Sequence, residues 1–142
     1  MFYVRKFKIY LSGSMYGGRQ KIETYKVLVK ELEEYGEVLT KQIADINAIE
    51  NEKYQDDSEI YNDLEKKLNE TDVVLAEVSI PSLGVGYELG YADKLGKKII
   101  AIYDETYTNK VTTMIRGNKR IKLIAYKDIS EIINTLDKLL DV

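Results

Sequence analysis

The chain contains no cysteine, no histidine and no tryptophan, and only one proline in 142 residues. The first absence removes disulfides and thiolate catalysis. The second removes the commonest general base and makes a zinc site improbable, so any acid–base or nucleophilic chemistry falls to Asp, Glu, Tyr, Lys, Ser or Thr. No apolar run approaches the roughly 20 residues that cross a bilayer. The first seven residues lack the apolar core of a signal peptide, which argues for the cytoplasm and against a membrane partner. With 21 basic and 24 acidic residues and a net charge of −3, the chain offers no electrostatic footprint for a nucleic-acid polymer. A small anion held by local groups stays open.

No Pro/Gly/Ser linker and no internal repeat divide the chain, so residues 1–142 read as one domain, and 44% hydrophobic residues suffice for an ordinary core. Short apolar runs alternate with helical periodicity. Lys8 to Leu11, Glu37 to Thr40, Val73 to Val78, Lys98 to Tyr103 and Ile121 to Tyr126 read as strands. Helices are expected from about Ile22 to Tyr35, from Ser58 to Glu70, from Gly84 onward, over Val111 to Arg116, and from Ile129 to Leu140 with an Asp128/Glu131 capping box. Residues 41–57 read as a loop or irregular helix, and Asp104 to Asn109 as a loop. This alternation predicts an α/β fold, a doubly wound, flavodoxin-like parallel sheet of five strands in the order 2-1-3-4-5 with helices on both faces.

The central stretch runs from Asp72 to Ala92. A β-branched strand ends near Pro81, a glycine-bearing turn follows, and Gly84 and Gly86 open a helix whose residues Val85, Leu89, Ala92 and Leu95 mark an inward stripe. Glu88 falls inside that stripe. A carboxylate there is either an ion-pair partner or a working group, because an unpaired buried charge is costly. The unpaired N–H groups at the helix start suit a phosphate, with Ser82 and the backbone at Gly84 completing the cradle. A second loop, Ser12 to Arg19, also leaves the carboxyl end of a strand. If the first and third strands are neighbours, Tyr10, Ser12, Ser14, Ser82 and Glu88 converge across one crevice.

Each signal also has a plainer reading. Gly17-Gly18 can be flexible backbone before a helix, Tyr10 a core aromatic, Asp63 a solvated acid, and the polar group Thr112, Arg116, Lys119, Arg120 and Lys122 a basic connection. Neither glycine loop fits a Walker A motif or the full dinucleotide-binding fingerprint.

The run from Pro81 to Gly90, preceded by Asp72-Val73-Val74 and Ala76-Glu77-Val78, resembles the signature of the 2′-deoxynucleoside 5′-monophosphate N-glycosidases, within the nucleoside 2-deoxyribosyltransferase superfamily. Tyr10 with Gly13-Ser14 and Gly17-Gly18-Arg19, the Glu37 to Thr40 strand, and Met114-Ile115-Arg116-Gly117 resemble other parts of the same pattern. What the resemblance implies is hydrolysis of the base–deoxyribose bond of a nucleoside monophosphate, giving free base and 2-deoxyribose 5-phosphate. It makes Glu88 the nucleophile, Tyr10 its orienting partner, and Asp63 an aid in positioning and proton transfer. It makes Ser12, Gly13, Ser14, Gly17, Gly18, Arg19, Ser82, Gly84, Thr112 and Met114 the substrate-binding set, with no metal or organic cofactor. Thr112 would reach in from the second subunit of a homodimer. The chain departs from the pattern at Tyr16, where arginine is usual, at Thr112 in place of serine, and by one extra residue between Asp63 and Asp72. A deoxyribosyltransferase and a nucleotide-binding module without turnover are the rival readings.

Overall fold

Short β-branched runs separated by amphipathic segments fold, in the computed structural model, into five parallel strands ordered β2-β1-β3-β4-β5. The structure describes residues 6–15 and 21–141, the side chains of 108–110 excepted. The strands are β1 (Lys8–Gly13), β2 (Glu37–Val38), β3 (Val73–Glu77), β4 (Lys98–Asp104) and β5 (Ile121–Tyr126). Around them lie α1 (Ile22–Leu32), α2 (Ala48–Glu52), α3 (Asp57–Glu70), α4 (Leu83–Lys94), α5 (Thr113–Arg116), α6 (Ser130–Ile133) and α7 (Leu136–Leu140). The expected order is borne out. Among the described residues, no helix is long and apolar enough to cross a membrane.

Strand alternation sorts the core into two layers. Ile9, Leu11, Val73, Leu75, Ile100 and Ile102 face α1, α6 and α7, packing on Leu28, Leu32, Ile132, Leu136 and Leu139. Tyr10, Val74, Ala76, Ile99 and Ala101 face α3 and α4, packing on Leu68, Val85, Leu89 and Ala92. All five residues of β3 are buried, as a central strand covered on both faces requires.

Several boundaries differ from the sequence expectation for identifiable reasons. β2 stops at Val38 because Thr40 takes over its pairing: its Oγ1 accepts from Leu11 N at 2.9 Å and donates to Leu11 O at 2.6 Å. The expected loop after β4 is a 3-10 helix, Glu105–Lys110, capped by Asp104, which accepts from Thr106 N at 3.0 Å and Thr106 Oγ1 at 2.8 Å. The single terminal helix is two, α6 and α7. Thr135 divides them, its Oγ1 donating to the carbonyls of Glu131 and Ile132 in competition with the helix ladder. The capping box forms only in part: Asp128 accepts from Ser130 N at 2.8 Å, whereas Glu131 reaches back to Lys127 N at 3.3 Å. Leu95 falls outside the inward stripe at 40% exposure, because α4 ends at Lys94 and the chain turns away through Gly96 at φ 73°. Residues 41–57 contain a 3-10 turn, Lys41–Ala44, and α2.

Candidate active site

Parallel neighbours β1 and β3 set Ser12 beside Ala76 and Gly13 beside Glu77, so the loops that follow both strands open at the same end of the sheet. Beyond β3, Ser82 caps α4 by accepting from Val85 N at 3.3 Å. The remaining first-turn N–H groups have no acceptor within the helix. A methyl group placed on Gly84 would meet only Ser82 Oγ, at 3.8 Å, so its backbone stays open to approach.

Glu88 lies in the second turn of α4, partly accessible, on the side turned to β1. Burial pushes its carboxyl above the ordinary carboxylate range, and the hydroxyls of Tyr10 and then Ser12 pull it partway back. Tyr10 and Ser12 are 1% and 2% exposed, and neither hydroxyl closes a hydrogen bond of good geometry among the described residues. Both therefore sit near the carboxylate without being committed to it. The Tyr10 hydroxyl is itself pushed up, first by burial, then by the negative charge and hydrogen-bonding pull of Glu88, and last by Asp63. Its proton stays on at any working pH.

Asp63 does not join this group by contact. It is exposed on α3 and ion-paired to Lys67 one turn on, at 2.8 Å, in a groove beside β2. Its influence on Tyr10 is through charge alone. Ser14 is buried, and its carbonyl accepts from Tyr25 Oη at 3.1 Å. Gly13 is glycine for a packing reason, since a Cβ there would stand 2.7 Å from the Tyr25 ring. Gly17, Gly18 and Arg19, together with Tyr16, lie outside the described residues. Thr112 caps α5 by accepting from Met114 N at 3.3 Å, and Met114 is 80% exposed.

A concavity of about 1300 Å³ lies beside α4 and is not lined by Glu88. It runs along the outer side of α4 to α5, from Ser82, Leu83 and Gly86 to Thr112, Met114 and Ile115. That volume exceeds the ~300–1,000 Å³ usual for a small-molecule pocket. Tyr91 joins α4 to α3 by donating to Glu65 at 3.0 Å, an oxygen that also accepts from Tyr61 of α3 at 2.8 Å, while Tyr61 and Tyr87 meet edge to face at 6.4 Å.

One cluster escaped the sequence reading. Glu77, 1% exposed at the end of β3, accepts from Ser79 N at 2.7 Å, from Ser79 Oγ at 3.0 Å and from Tyr126 Oη. Ser79 Oγ in turn accepts from Asp104 N at 2.8 Å. Asp104 pairs with Lys21 at 2.8 Å, and that contact holds its carboxyl below the ordinary range. The Lys21 ammonium also lies over the rings of Tyr107 and Tyr126. An acid sharing strand parity with buried Val73 and Leu75 was the available signal.

Taken together, these features define a doubly wound α/β protein with a sheltered carboxylate, Glu88, near two buried hydroxyls of its first strand. The sequence model of the nucleoside 2-deoxyribosyltransferase family matches residues 9–129, and the chain belongs to that family. It is 40% identical over 136 residues, 94% of each chain, to a Thermofilum pendens protein provisionally named 2′-deoxynucleoside 5′-phosphate N-hydrolase 1. It is 38% identical over 124 residues, 87% of each chain, to the 5-hydroxymethyl-dUMP N-hydrolase of Danio rerio. The structure of Clostridium botulinum CMP N-glycosidase shares its fold, with a TM-score of 0.69 over 92% of this chain and 98% of that one at 24% identity.

Proposed function

We propose that the chain hydrolyses the N-glycosidic bond of a 2′-deoxynucleoside 5′-monophosphate, with Glu88 as nucleophile. The observation that carries this reading is Glu88 itself: a sheltered carboxylate, just past an open helix start, flanked by two buried hydroxyls that have no other partner. The family membership and the N-hydrolase names of relatives near 40% identity support it.

In the first step a Glu88 carboxylate oxygen bonds to C1′ as the C1′–N bond breaks, its electron pair leaving with the base, which takes a proton from solvent or an acid group. Positive charge developing on the sugar is stabilised by the facing carboxylate. In the second step water attacks C1′, the ester bond returns its electrons to Glu88, and 2-deoxyribose 5-phosphate departs with one proton released. Tyr10 orients Glu88. Asp63, held by Lys67, is assigned the lesser task of positioning water or sugar. The α4 start, Ser82 and Gly84, together with Ser14 and Arg19, receive the 5′-phosphate.

The outer face of α4 supports a homodimer. Leu83 is 98% and Tyr87 60% exposed, and side chains added at Gly86 or Gly90 would meet nothing within 4 Å. Glycine inside a helix costs about 1 kcal/mol relative to alanine, and the fold of one chain does not require it at either position. A second copy seated in this groove brings Thr112 and Met114 of one subunit beside Ser82 of the other. Gly90→Arg is expected to yield monomers in sedimentation velocity; an unchanged dimer would place the interface elsewhere.

The test of the reaction is chromatographic detection of free base from a panel of deoxy- and ribonucleoside monophosphates and the corresponding nucleosides. Release from deoxynucleotides is expected. Transfer of deoxyribose to an added second base would instead make the chain a transferase, and binding without release would make it a non-catalytic module.

A further inference from the structure

We propose that Lys21 and Asp104 are positioning residues: their ion pair holds the two loops assigned above to the 5′-phosphate in register, and so sets affinity for the phosphate without touching it. The inference rests on the phosphate role given to Ser14, Ser82 and the start of α4. It starts from a continuous chain of contacts between those two serines.

On the first loop, the Ser14 carbonyl accepts from Tyr25 Oη at 3.1 Å, and Gly13 packs against the same ring. Tyr25 lies in the first turn of α1, where its N–H donates to Lys21 O at 2.9 Å. The Lys21 ammonium then meets Asp104 Oδ2 at 2.8 Å, at the end of β4 and 83 residues away in sequence. Asp104 N donates to Ser79 Oγ at 2.8 Å, and three residues on from Ser79 stands Ser82, the N-cap of α4. Ser79 is locked in turn by Glu77, which accepts from its N–H and its hydroxyl.

The ion pair differs from those on the surface of the helices. Its side chains are 12% and 20% exposed, against 64% and 60% for Lys53 and Glu50. Water and salt screen an exposed pair until it contributes only ~0–1 kcal/mol, whereas a sheltered one keeps its geometry. Both carboxylate oxygens of Asp104 are occupied, Oδ1 by Thr106 N and Oγ1, and Oδ2 by Lys21. The ammonium also lies 5.2 and 5.6 Å from the ring centroids of Tyr107 and Tyr126, within cation–π range. A lysine enclosed and neutralised in this way acts through the backbone it anchors. A phosphate received by N–H groups and hydroxyls from two loops tolerates little misplacement, because hydrogen bonds weaken steeply away from about 2.7–3.2 Å.

Charge and position have opposite signs at Asp104. Removing an acid strengthens anion binding if its charge is what matters, and weakens it if its position matters. The test measures calorimetric affinities for the common 2′-deoxynucleoside 5′-monophosphates and their nucleosides in the Glu88→Gln background, with Lys21→Met, Asp104→Asn, both together, and Lys21→Arg. Lys21→Met and Asp104→Asn are each expected to weaken monophosphate binding about tenfold and nucleoside binding less than about twofold. The double variant should lose no more than about a single one, and Lys21→Arg should restore most of the affinity. Asp104→Asn, which keeps an acceptor for Thr106, is decisive on its own should Lys21→Met not fold. Tighter monophosphate binding in Asp104→Asn overturns the proposal and makes Lys21 a direct phosphate contact. An unchanged preference for monophosphate over nucleoside, or equal losses for both, overturns it in favour of a purely structural pair. A parent protein without that preference removes the phosphate reading and the proposal with it. Preference lost in the variants, with no base released by wild type, keeps the proposal and removes the glycosidase reading.

Discussion

Two glutamates at the same end of the sheet, Glu77 and Glu88, are both sheltered from water, yet the groups around them are arranged in opposite ways. Glu77 closes β3 on the α1 side and accepts three hydrogen bonds from Ser79 and Tyr126. Glu88 sits on the α4 side beside two buried hydroxyls that close no bond to it. A carboxylate whose oxygens are occupied by fixed donors is held in place and can do little else. One whose donors are close but uncommitted keeps a lone pair for a substrate. Burial alone does not separate a structural acid from a reactive one; the state of the partners does.

Removing each acid breaks this comparison in a different observable. For Glu88→Gln we expect base release to fall by on the order of 10³-fold or more. Because the folded protein raises the Glu88 pKa, its charged form costs stability. That cost appears as pH rises from the unfolded value of about 4.3 through the folded one, and it is absent where both states are protonated. Glu88→Gln should therefore be no less stable than wild type at pH 7, with any advantage fading toward pH 4, as thermal denaturation at several pH values would show. Activity near that of wild type would remove Glu88 from the reaction.

The opposite outcome is expected for Glu77→Ala, which strands three donors and should cost about 2–4 kcal/mol in urea unfolding. Its activity per folded molecule should fall far less than that of Glu88→Gln. Loss of base release at an unchanged unfolding midpoint would place Glu77 in the chemistry and dissolve the distinction.

The two tyrosines sharpen the contrast at smaller amplitude. Tyr126→Phe removes a made hydrogen bond and should cost about 1 kcal/mol. Tyr10→Phe removes an orphan hydroxyl, so stability should hold within about 0.5 kcal/mol while kcat drops roughly tenfold to a hundredfold. Equal stability losses in urea titrations of the two variants would mean that Tyr10 is an ordinary core residue.

The division between what could and could not be read in advance follows the same line. The strand order was legible because alternation of apolar runs with helical stripes leaves few parallel topologies, and the Pro81 to Gly90 run was specific enough to indicate the family. Glu88 stood out by helical phase, which is a local property. Helical spacing in α1 marks Ile22, Tyr25, Val29 and Leu32 as its apolar stripe. Tyr25 and Leu32 are buried and Ile22 and Val29 pack partly buried against the core, while Leu28, outside that spacing, is buried as well, which only packing decides. Asp63 was placed in the site by pattern, and the helix turned it to Lys67. The Glu77 cluster draws on β3, β4 and β5 and on Lys21, so no local pattern contained it.

By itself the sequence determined the alternating α/β architecture, the strand order and the residue types available for chemistry, because these depend on periodicity and composition within short windows. Only the tertiary structure decided which hydroxyls found partners and which did not. Hydrogen-bond satisfaction depends on groups that meet from distant parts of the chain: Tyr126 arrives at Glu77 from 49 residues away, whereas among the described residues none closes a hydrogen bond with the hydroxyl of Ser12 or Tyr10.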